Sequence, residues 1–347
     1  MRPRPQRSRL PRARQRGVAL ITVLLIVALA ATAAASMTGR HQFDVRRTSN
    51  RLALAQAHQV ALGGEAWARG LLARDRRGEA RGAEQDQQAG ETSAGGQEAG
   101  DSRNRPVEVD GLDENWAQDL PPIPIEGGQV TGNIVDLQGR FNINNLVDGG
   151  TVDAVAVARF ERLLAQFEIE AEVVQAVVDW LDTNREPGFP GGAEDNYYLT
   201  RDQPYLTANR LSVTASELRL VRGIDAEAWR RLAPHVVALP TTTGINVNTA
   251  SPEVLRTVLP DIDEAAAEQL AETAAEQPFL SISSFRGHSL VPRGSSEAGN
   301  ERLVVASRYF RVRTDVLLGP IEYTLYSWLA RNDNGASRVL RRGRTPH

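Results

Sequence analysis

Two residue types are missing from this chain of 347 residues, and each absence excludes a class of chemistry. There is no cysteine, which excludes disulfide bonds, a thiol nucleophile and cysteine-ligated zinc. There is no lysine, since all 40 basic residues are arginine, and this excludes a Walker A loop and Schiff-base catalysis. The five histidines are scattered, and no G-x-S-x-G or G-x-G-x-x-G motif occurs. We therefore predict that the protein is not an enzyme.

The N-terminus changes character at a single peptide bond. Seven arginines and no acidic residue lie between Met1 and Gly17, whereas residues 18–37 carry no charge. As a helix, the apolar segment would span roughly 30 Å, about the hydrocarbon thickness of a bilayer. The basic flank is expected to stay in the cytoplasm while the C-terminal bulk crosses the membrane.

Two processing sites compete for this region. The run Ala33-Ala34-Ala35 before Ser36 fits a signal peptidase site, and cleavage there would release a soluble exported protein. Cleavage between Gly17 and Val18 would instead keep the apolar segment in the mature protein. The second site is favoured because no proline occurs in residues 18–75 and the apolar stretch continues as an amphipathic helix to about residue 73.

The rest of the chain divides by composition. Residues 74–105 are polar and rich in glycine, which predicts a flexible linker. Short strands are predicted within 120–135, helical periodicity follows from 152 to about 273, and strands return after 303, with a hairpin turn at Asn332–Gly335. This order predicts an α+β fold in which one small antiparallel sheet contains a large inserted all-helical domain.

Five motifs occur in order behind the basic leader. They are Gly139–Asn145 (GRFNINN), Asp179–Asp182 (DWLD), Gly192–Tyr198 (GAEDNYY), Ile245–Ala250 (INVNTA) and Ser307–Phe310 (SRYF). The leader ending in glycine, followed by an apolar helix, resembles a type IV prepilin. Together with the motifs, it resembles the protein K family, the largest minor pseudopilins of type II secretion systems. The resemblance covers nearly the whole chain.

The resemblance implies a domain plan for the chain. A prepilin leader would occupy residues 1–17, a transmembrane and stem helix residues 18–73, and the linker residues 74–105. A pilin-like α/β head, with the stem helix packed on its sheet, would comprise 106–149 and 300–347. The inserted helical domain, with helix-hairpin-helix-like units, would comprise 150–299.

The resemblance also implies a function. A prepilin peptidase would cut after Gly17, and Val18 would be methylated, leaving a single-pass inner-membrane protein with its bulk in the periplasm. From there the subunit would reach the tip of the pseudopilus through the inner-membrane assembly platform. Beside other minor pseudopilins, it would initiate or cap assembly and assist export across the outer membrane. The fifth mature residue is Thr22, where major pilins have glutamate, so this subunit is not expected to repeat through the shaft.

An acidic loop is the candidate metal site. Within eighteen residues it holds seven side chains with oxygen ligands: Asp179, Asp182, Asn184, Glu186, Glu194, Asp195 and Asn196. Calcium takes six to eight oxygens from such loops, although composition alone favours a solvated acidic turn between helices. The family resemblance implies calcium, and we predict a structural calcium ion bound by Asp182, Asn184, Glu194 and Asp195.

The alternative function is nucleic-acid binding by a DNA-uptake or type IV pilus tip protein. The segment 245–255, followed by 259–263, resembles a helix-hairpin-helix motif, whose glycine amides bind phosphate. Asp261 and Asp263 stand where glycines are expected, and a second partial copy at 220–225 keeps Gly223 but ends in Asp225. Without the leader arginines the net charge of −3 becomes about −10, which disfavours phosphate. We interpret both copies as packing units and predict no nucleic-acid partner.

Overall fold

The computed structural model describes residues 16–76, 109–292 and 302–346. Contacts divide the chain into two compact units, Met1–Gln56 and Ala57–His347. The predicted leader (1–17) and linker (74–105) lie almost entirely outside the described residues, so both stay predictions.

A single helix, α1, begins at Arg16 and ends at Arg76. No proline interrupts it, as the sequence indicates. Its segment Ala19–Met37 has a mean hydropathy of 2.4, and none of that window is buried. Among the described residues this is the one helical segment long and apolar enough to cross a membrane.

Five longer strands form one antiparallel sheet in the order β1-β2-β9-β10-β11. Their bounds are Leu120–Ile125 for β1, Gly128–Asp136 for β2, Tyr309–Leu318 for β9, Ile321–Arg331 for β10 and Ser337–Gly343 for β11. β2 pairs along its whole length with β9, from Gly128↔Leu318 to Asp136↔Phe310. Strands from before and after the helical region are therefore neighbours in one sheet.

The end of α1 packs on this sheet through small side chains. Ala57, Ala61 and Ala68 are buried there, against apolar residues of β9 and β10. Gly64 lies against β9, where an added Cβ atom would stand 2.6 Å from Thr314 Cγ2. Small residues let the helix backbone approach the sheet closely. The predicted fold class, a helix packed on a small antiparallel sheet with a helical insertion, is confirmed.

Short elements make up the region between β2 and β9. Its helices are α2 (Ala154–Gln166), α3 (Val173–Leu181), α4 (Asp195–Tyr198), α5 (Ala226–Leu232), α6 (Pro252–Val258), α7 (Glu264–Glu276) and α8 (Ile282–Arg286). Two 3₁₀ helices span Ile143–Leu146 and Ala215–Leu220. Its strands have two residues each: β3 (Phe141–Asn142), β4 (Val147–Asp148), β5 (Thr151–Val152), β6 (Val236–Val237), β7 (Ile245–Asn246) and β8 (Leu303–Val304).

One apolar core extends through this helical region, from Phe141 to Leu303. The predicted head segment 106–149 therefore contributes its last apolar residues, such as Ile143 and Leu146, to the helical core. The last part of the predicted helical periodicity, up to about residue 273, is divided between α6 and α7, because Pro260 lies between them.

The two Asn-x-Asn motifs, 142–144 and 246–248, play the same structural part. Each begins on a two-residue strand that pairs in parallel, β3 with β6 and β7 with β8. In each motif the second asparagine, buried, accepts one backbone N–H and donates to a backbone carbonyl of a distant segment. These bonds link Asn144 with Ser212 and Leu239, and Asn248 with Phe279 and Val305. The helical region thus has two similar halves, in each of which a buried asparagine bonds to the backbone of distant segments.

Candidate metal centre

The acidic loop lies in the first half of the helical region, which contains the Asn-x-Asn motif at 142–144. In that half, thirty residues separate the end of α3 at Leu181 from Ser212. In the second half, only two residues separate the end of α7 at Glu276 from Phe279. The connection that follows α3 is therefore much longer than the connection that follows α7. Loops added to a scaffold are common positions for binding residues.

The apolar face of α3 fixes the start of the loop. Val174, Val177 and Trp180 are buried in the core of the helical region. α3 ends when Asp182 adopts an extended conformation, with φ −77° and ψ 175°, and donates its N–H to Val178. The carboxylates near this end are thereby held beside the core.

Asp179 organises the loop. Its buried carboxylate accepts from the backbone N–H groups of Gly188, at 3.1 Å, and Ala193, at 2.8 Å, and from the side chain of Gln175, at 2.9 Å. A Cβ atom on Gly192 would stand 2.3 Å from Asp179 Oδ2, so glycine is required there. The carboxylate of Asp179 thus accepts hydrogen bonds that hold the loop in its folded shape. The sequence pattern did not distinguish this role from that of a metal ligand.

Asp182 and Asn184 form a local turn. Asp182 is buried and accepts from the backbone N–H of Asn184, at 3.1 Å, and from its side-chain Nδ2, at 2.7 Å. Asn184 is exposed, and its Oδ1 accepts from the backbone N–H of Glu186. Burial and the charge of Asp179 raise the pKa of Asp182, while the bonds from Asn184 lower it.

Glu194 is the least satisfied of the predicted ligands. Only 2% of this residue is exposed, and neither carboxylate oxygen has a hydrogen-bond partner among the described residues. Burial raises the pKa of Glu194, and the charges of Asp179, Asp182 and Asp195 raise it further. The neighbouring Thr207 hydroxyl lowers this pKa, although its position does not meet the geometry of a hydrogen bond. A buried carboxylate without a donor is costly unless a positive charge neutralises it.

The segment after α4 contributes further oxygens. Asp195 accepts from the backbone N–H of Thr207 at 2.9 Å, which brings that segment to the acidic loop. The hydroxyl of Thr207 and the Oδ1 of Asn209 are also buried without a hydrogen-bond partner in the described part of the chain. Sequence reasoning missed Thr207, because it lies twelve residues beyond Asp195 and follows no ligand spacing.

The arrangement is chemically suited to a hard cation. Oxygen ligands are offered by the carboxylates of Asp182, Glu194 and Asp195. The charges of Asp182 and Asp195 raise the pKa of Glu194, but in the described part of the chain the oxygens of these three side chains do not all lie within 4.8 Å of one another. Thr207 adds an unpaired hydroxyl beside them. An all-oxygen donor set of this kind fits calcium rather than zinc or copper.

A second acidic group, Asp75, Asp110 and Glu114, has carboxylate oxygens within 4.8 Å of one another. Its cation is already present, since the guanidinium of Arg331 donates to Asp75 at 3.0 Å and to Asp110 at 2.5 Å. Glu114 accepts from the indole N–H of Trp116. This group is a buried ion-pair centre that ties the end of α1 to β10.

The helix-hairpin-helix-like segments show why phosphate is disfavoured. Asp263 caps α7 by accepting the backbone N–H of Ala266 at 2.8 Å. Asp225 caps α5 in the same way, accepting from Glu227 and Ala228. The helix N-termini that would receive a phosphate therefore carry the protein's own carboxylates.

Comparison with known proteins identifies the family of this chain. Two family models described as type II secretion system protein K match residues 139–241 and 245–306. A type II secretion system protein K of Pseudomonas aeruginosa is 38% identical, covering 94% of this chain and 92% of that protein. The chain belongs to the type II secretion system protein K family. This confirms both the family predicted from the motifs and the role as a minor pseudopilin of type II secretion.

Other members of the protein K family match over similar lengths. The protein of Klebsiella pneumoniae is 32% identical over 95% of this chain and 96% of that protein. A solved structure, the GspK-GspI-GspJ complex from enterotoxigenic Escherichia coli, matches with a TM-score of 0.70 at 23% identity. That match covers 87% of this chain and all of the solved chain, and it shows the protein K fold.

Proposed function

We propose that this protein K is a non-catalytic subunit at the tip of the type II pseudopilus. There it would initiate or cap assembly and assist export across the outer membrane. The observation that carries the proposal is the helical region, which interrupts the head sheet between β2 and β9. A subunit with this extra mass on its head has no room for an identical subunit stacked above it.

The stem supports the same position. If cleavage leaves Val18 first, the fifth residue is Thr22, whose hydroxyl donates to the carbonyl of Ala19 in its own helix. A threonine carries no negative charge to neutralise the N-terminal amine of a neighbouring subunit. Apolar side chains such as Leu24 and Leu25 remain available for ordinary helix contacts below the tip.

The partners proposed for this chain are other minor pseudopilins, the prepilin peptidase and the inner-membrane assembly platform. The solved relative was crystallised as a complex of GspK with GspI and GspJ, and counterparts of those two proteins are the first candidates. Before assembly the subunit would be anchored in the inner membrane by the segment Ala19–Met37.

The tip position is tested in a strain that lacks the native gene. The wild-type chain is expected to restore secretion and to label only filament ends. A chain with residues 139–306 replaced by a short linker should enter the shaft, because the helical region that blocks stacking is gone. A short linker suffices, since the backbone N–H of Leu137 donates to the carbonyl of Tyr309 and the two ends of the replaced segment therefore lie close together. Thr22→Glu tests the charge argument in the same assay. Wild-type protein along the whole shaft would contradict the proposal, and tight DNA binding at physiological salt would favour an uptake function.

Processing makes a separate prediction. Gly17→Trp is expected to leave the precursor uncut, whereas Ala35→Leu, which damages the competing Ala-x-Ala site, should leave processing unchanged. Mass spectrometry of the mature chain should find a methylated Val18. An N-terminus at Ser36 would refute this prediction and with it the membrane anchor.

We also propose that the acidic loop binds a structural calcium ion. Asp182, Asn184, Glu194 and Asp195 are the proposed ligands. The support is the pair of unpartnered oxygens on buried Glu194, surrounded by further acidic side chains. A bound cation would relieve this repulsion, so calcium would stabilise the loop without taking part in a reaction.

A further inference from the structure

The two edges of the head sheet differ in their capacity to pair. At one edge, β1 has the sequence LPPIPI, and its three prolines lack the N–H group that a neighbouring strand would need. At the other edge, β11 has the sequence SRVLRRG, with no proline. Among the described residues no strand pairs with the outer side of β11. Within the described part of the chain, one edge of the sheet is thus blocked and the other has no paired strand.

The open edge is strongly basic. Arg338 and Arg341 lie in β11, and Arg344 follows it. The guanidinium of Arg341 stacks 3.7 Å from the ring centroid of Trp328, and that of Arg344 stacks 3.8 Å from Tyr323. None of these three arginines forms an ion pair with a carboxylate in the described part of the chain. Burial and the nearby charge of Arg311 lower the pKa of Arg341, as expected for uncompensated positive charge.

Two side chains of α1 hold β11 in place. Glu65 of α1 is buried and accepts from Arg342 Nε at 2.6 Å and from Ser327 Oγ at 2.6 Å. Arg69 of α1 donates to the carbonyl of Ser337 at the start of β11, so the outer edge is available for pairing only beyond this residue. An edge strand fixed in this way loses little conformational freedom when a partner binds.

We propose that the outer edge of β11 binds an extended acidic segment of another protein, which adds to the sheet as a sixth strand. Backbone hydrogen bonds would supply affinity, and carboxylates of the segment would pair with Arg338, Arg341 and Arg344. The inference goes beyond the proposed function, since it depends on neither the tip position nor calcium.

The experiment uses the full chain in detergent micelles and fluorescent peptides of about six to eight residues, an ordinary strand length. One peptide alternates glutamate with valine, a second has glutamine in place of glutamate, and a third is the acidic peptide N-methylated at every residue. At low salt the acidic peptide should bind about tenfold more tightly than the glutamine peptide. N-methylation of every residue should abolish binding, because it removes the N–H groups from both edges of the peptide.

Two protein variants test whether peptide binding depends on the arginines of this edge or on positive charge in general. Arg338→Gln with Arg344→Gln should reduce the affinity for the acidic peptide about tenfold. The matched control, Arg219→Gln with Arg230→Gln, changes two exposed arginines of the helical region and should leave affinity unchanged. Equal binding of the N-methylated peptide would overturn the proposal. So would the absence of acidic-peptide binding to the wild-type chain, or equally tight binding of single-stranded DNA.

Discussion

Replacing Arg331 by methionine is expected to lower the free energy of unfolding of the head by about 3–5 kcal/mol, the usual cost of removing one partner from a buried ion pair. Only 4% of this residue is exposed. Its guanidinium donates to Asp75 of α1, to Asp110 and to the carbonyl of Ser307, and it stacks on the ring of Phe310. Methionine fills the space but leaves the carboxylates buried without a cation.

The measurement is urea denaturation of the full chain in detergent, followed by tryptophan fluorescence. Arg338→Met is the matched control, since Arg338 of β11 lies opposite Ala330 of β10 and is exposed. This substitution should change the free energy of unfolding by no more than about 0.5 kcal/mol. Adding Asp110→Asn to Arg331→Met should recover part of the loss, because it removes one of the unpaired charges. Equal stability of Arg331→Met and the control would show that this ion-pair centre does not support the head.

Calcium is expected to stabilise the wild-type chain by about 2.7 kcal/mol at a concentration of about 100 times its Kd, because the ion binds only the folded loop. Glu194→Gln should abolish most of this gain. In the presence of a chelator the same substitution should be neutral or stabilising, since it removes a buried carboxylate that has no hydrogen-bond donor and lies near other acids.

Opposite effects with and without calcium distinguish a ligand from a residue that only supports the fold. Thermal melting of the full chain in detergent, with calcium and with chelator, gives both values. Glu186→Gln is the matched control, because Glu186 belongs to the same loop but is exposed. If the chelator leaves the wild-type melting temperature unchanged, or if Glu194→Gln keeps the full calcium response, the calcium proposal is wrong.

Several local features could be predicted from the sequence because their causes are local. The long α1 follows from the absence of proline over residues 18–75, and Ala19–Met37 stands out by hydropathy alone. The strands predicted after residue 303 are observed as β9 and β10, with the short β8 before them. The predicted hairpin turn at Asn332–Gly335 connects β10 to β11, with Gly335 at φ +83°.

The candidate site was only partly predictable. Oxygen density identified the acidic loop, and the glycines indicated a tight path for the backbone. The distinction between Asp179, which holds the loop, and Glu194, which has no partner, depends on which N–H groups the folded loop brings to each carboxylate. Thr207 joins the site through its bond to Asp195, and no periodicity or spacing predicts that contact.

The sequence by itself determined the apolar N-terminal helix, the separation of strands from helices along the chain and the absence of cysteine and lysine chemistry. These depend on composition and on neighbours within a few residues. Only the tertiary structure decided that β2 pairs with β9, that Arg331 neutralises Asp75 and Asp110, and that the outer side of β11 has no partner among the described strands. Such contacts join residues far apart in sequence, and they are selected by burial, since a charge or a strand edge finds its partner only when the core has brought the two together.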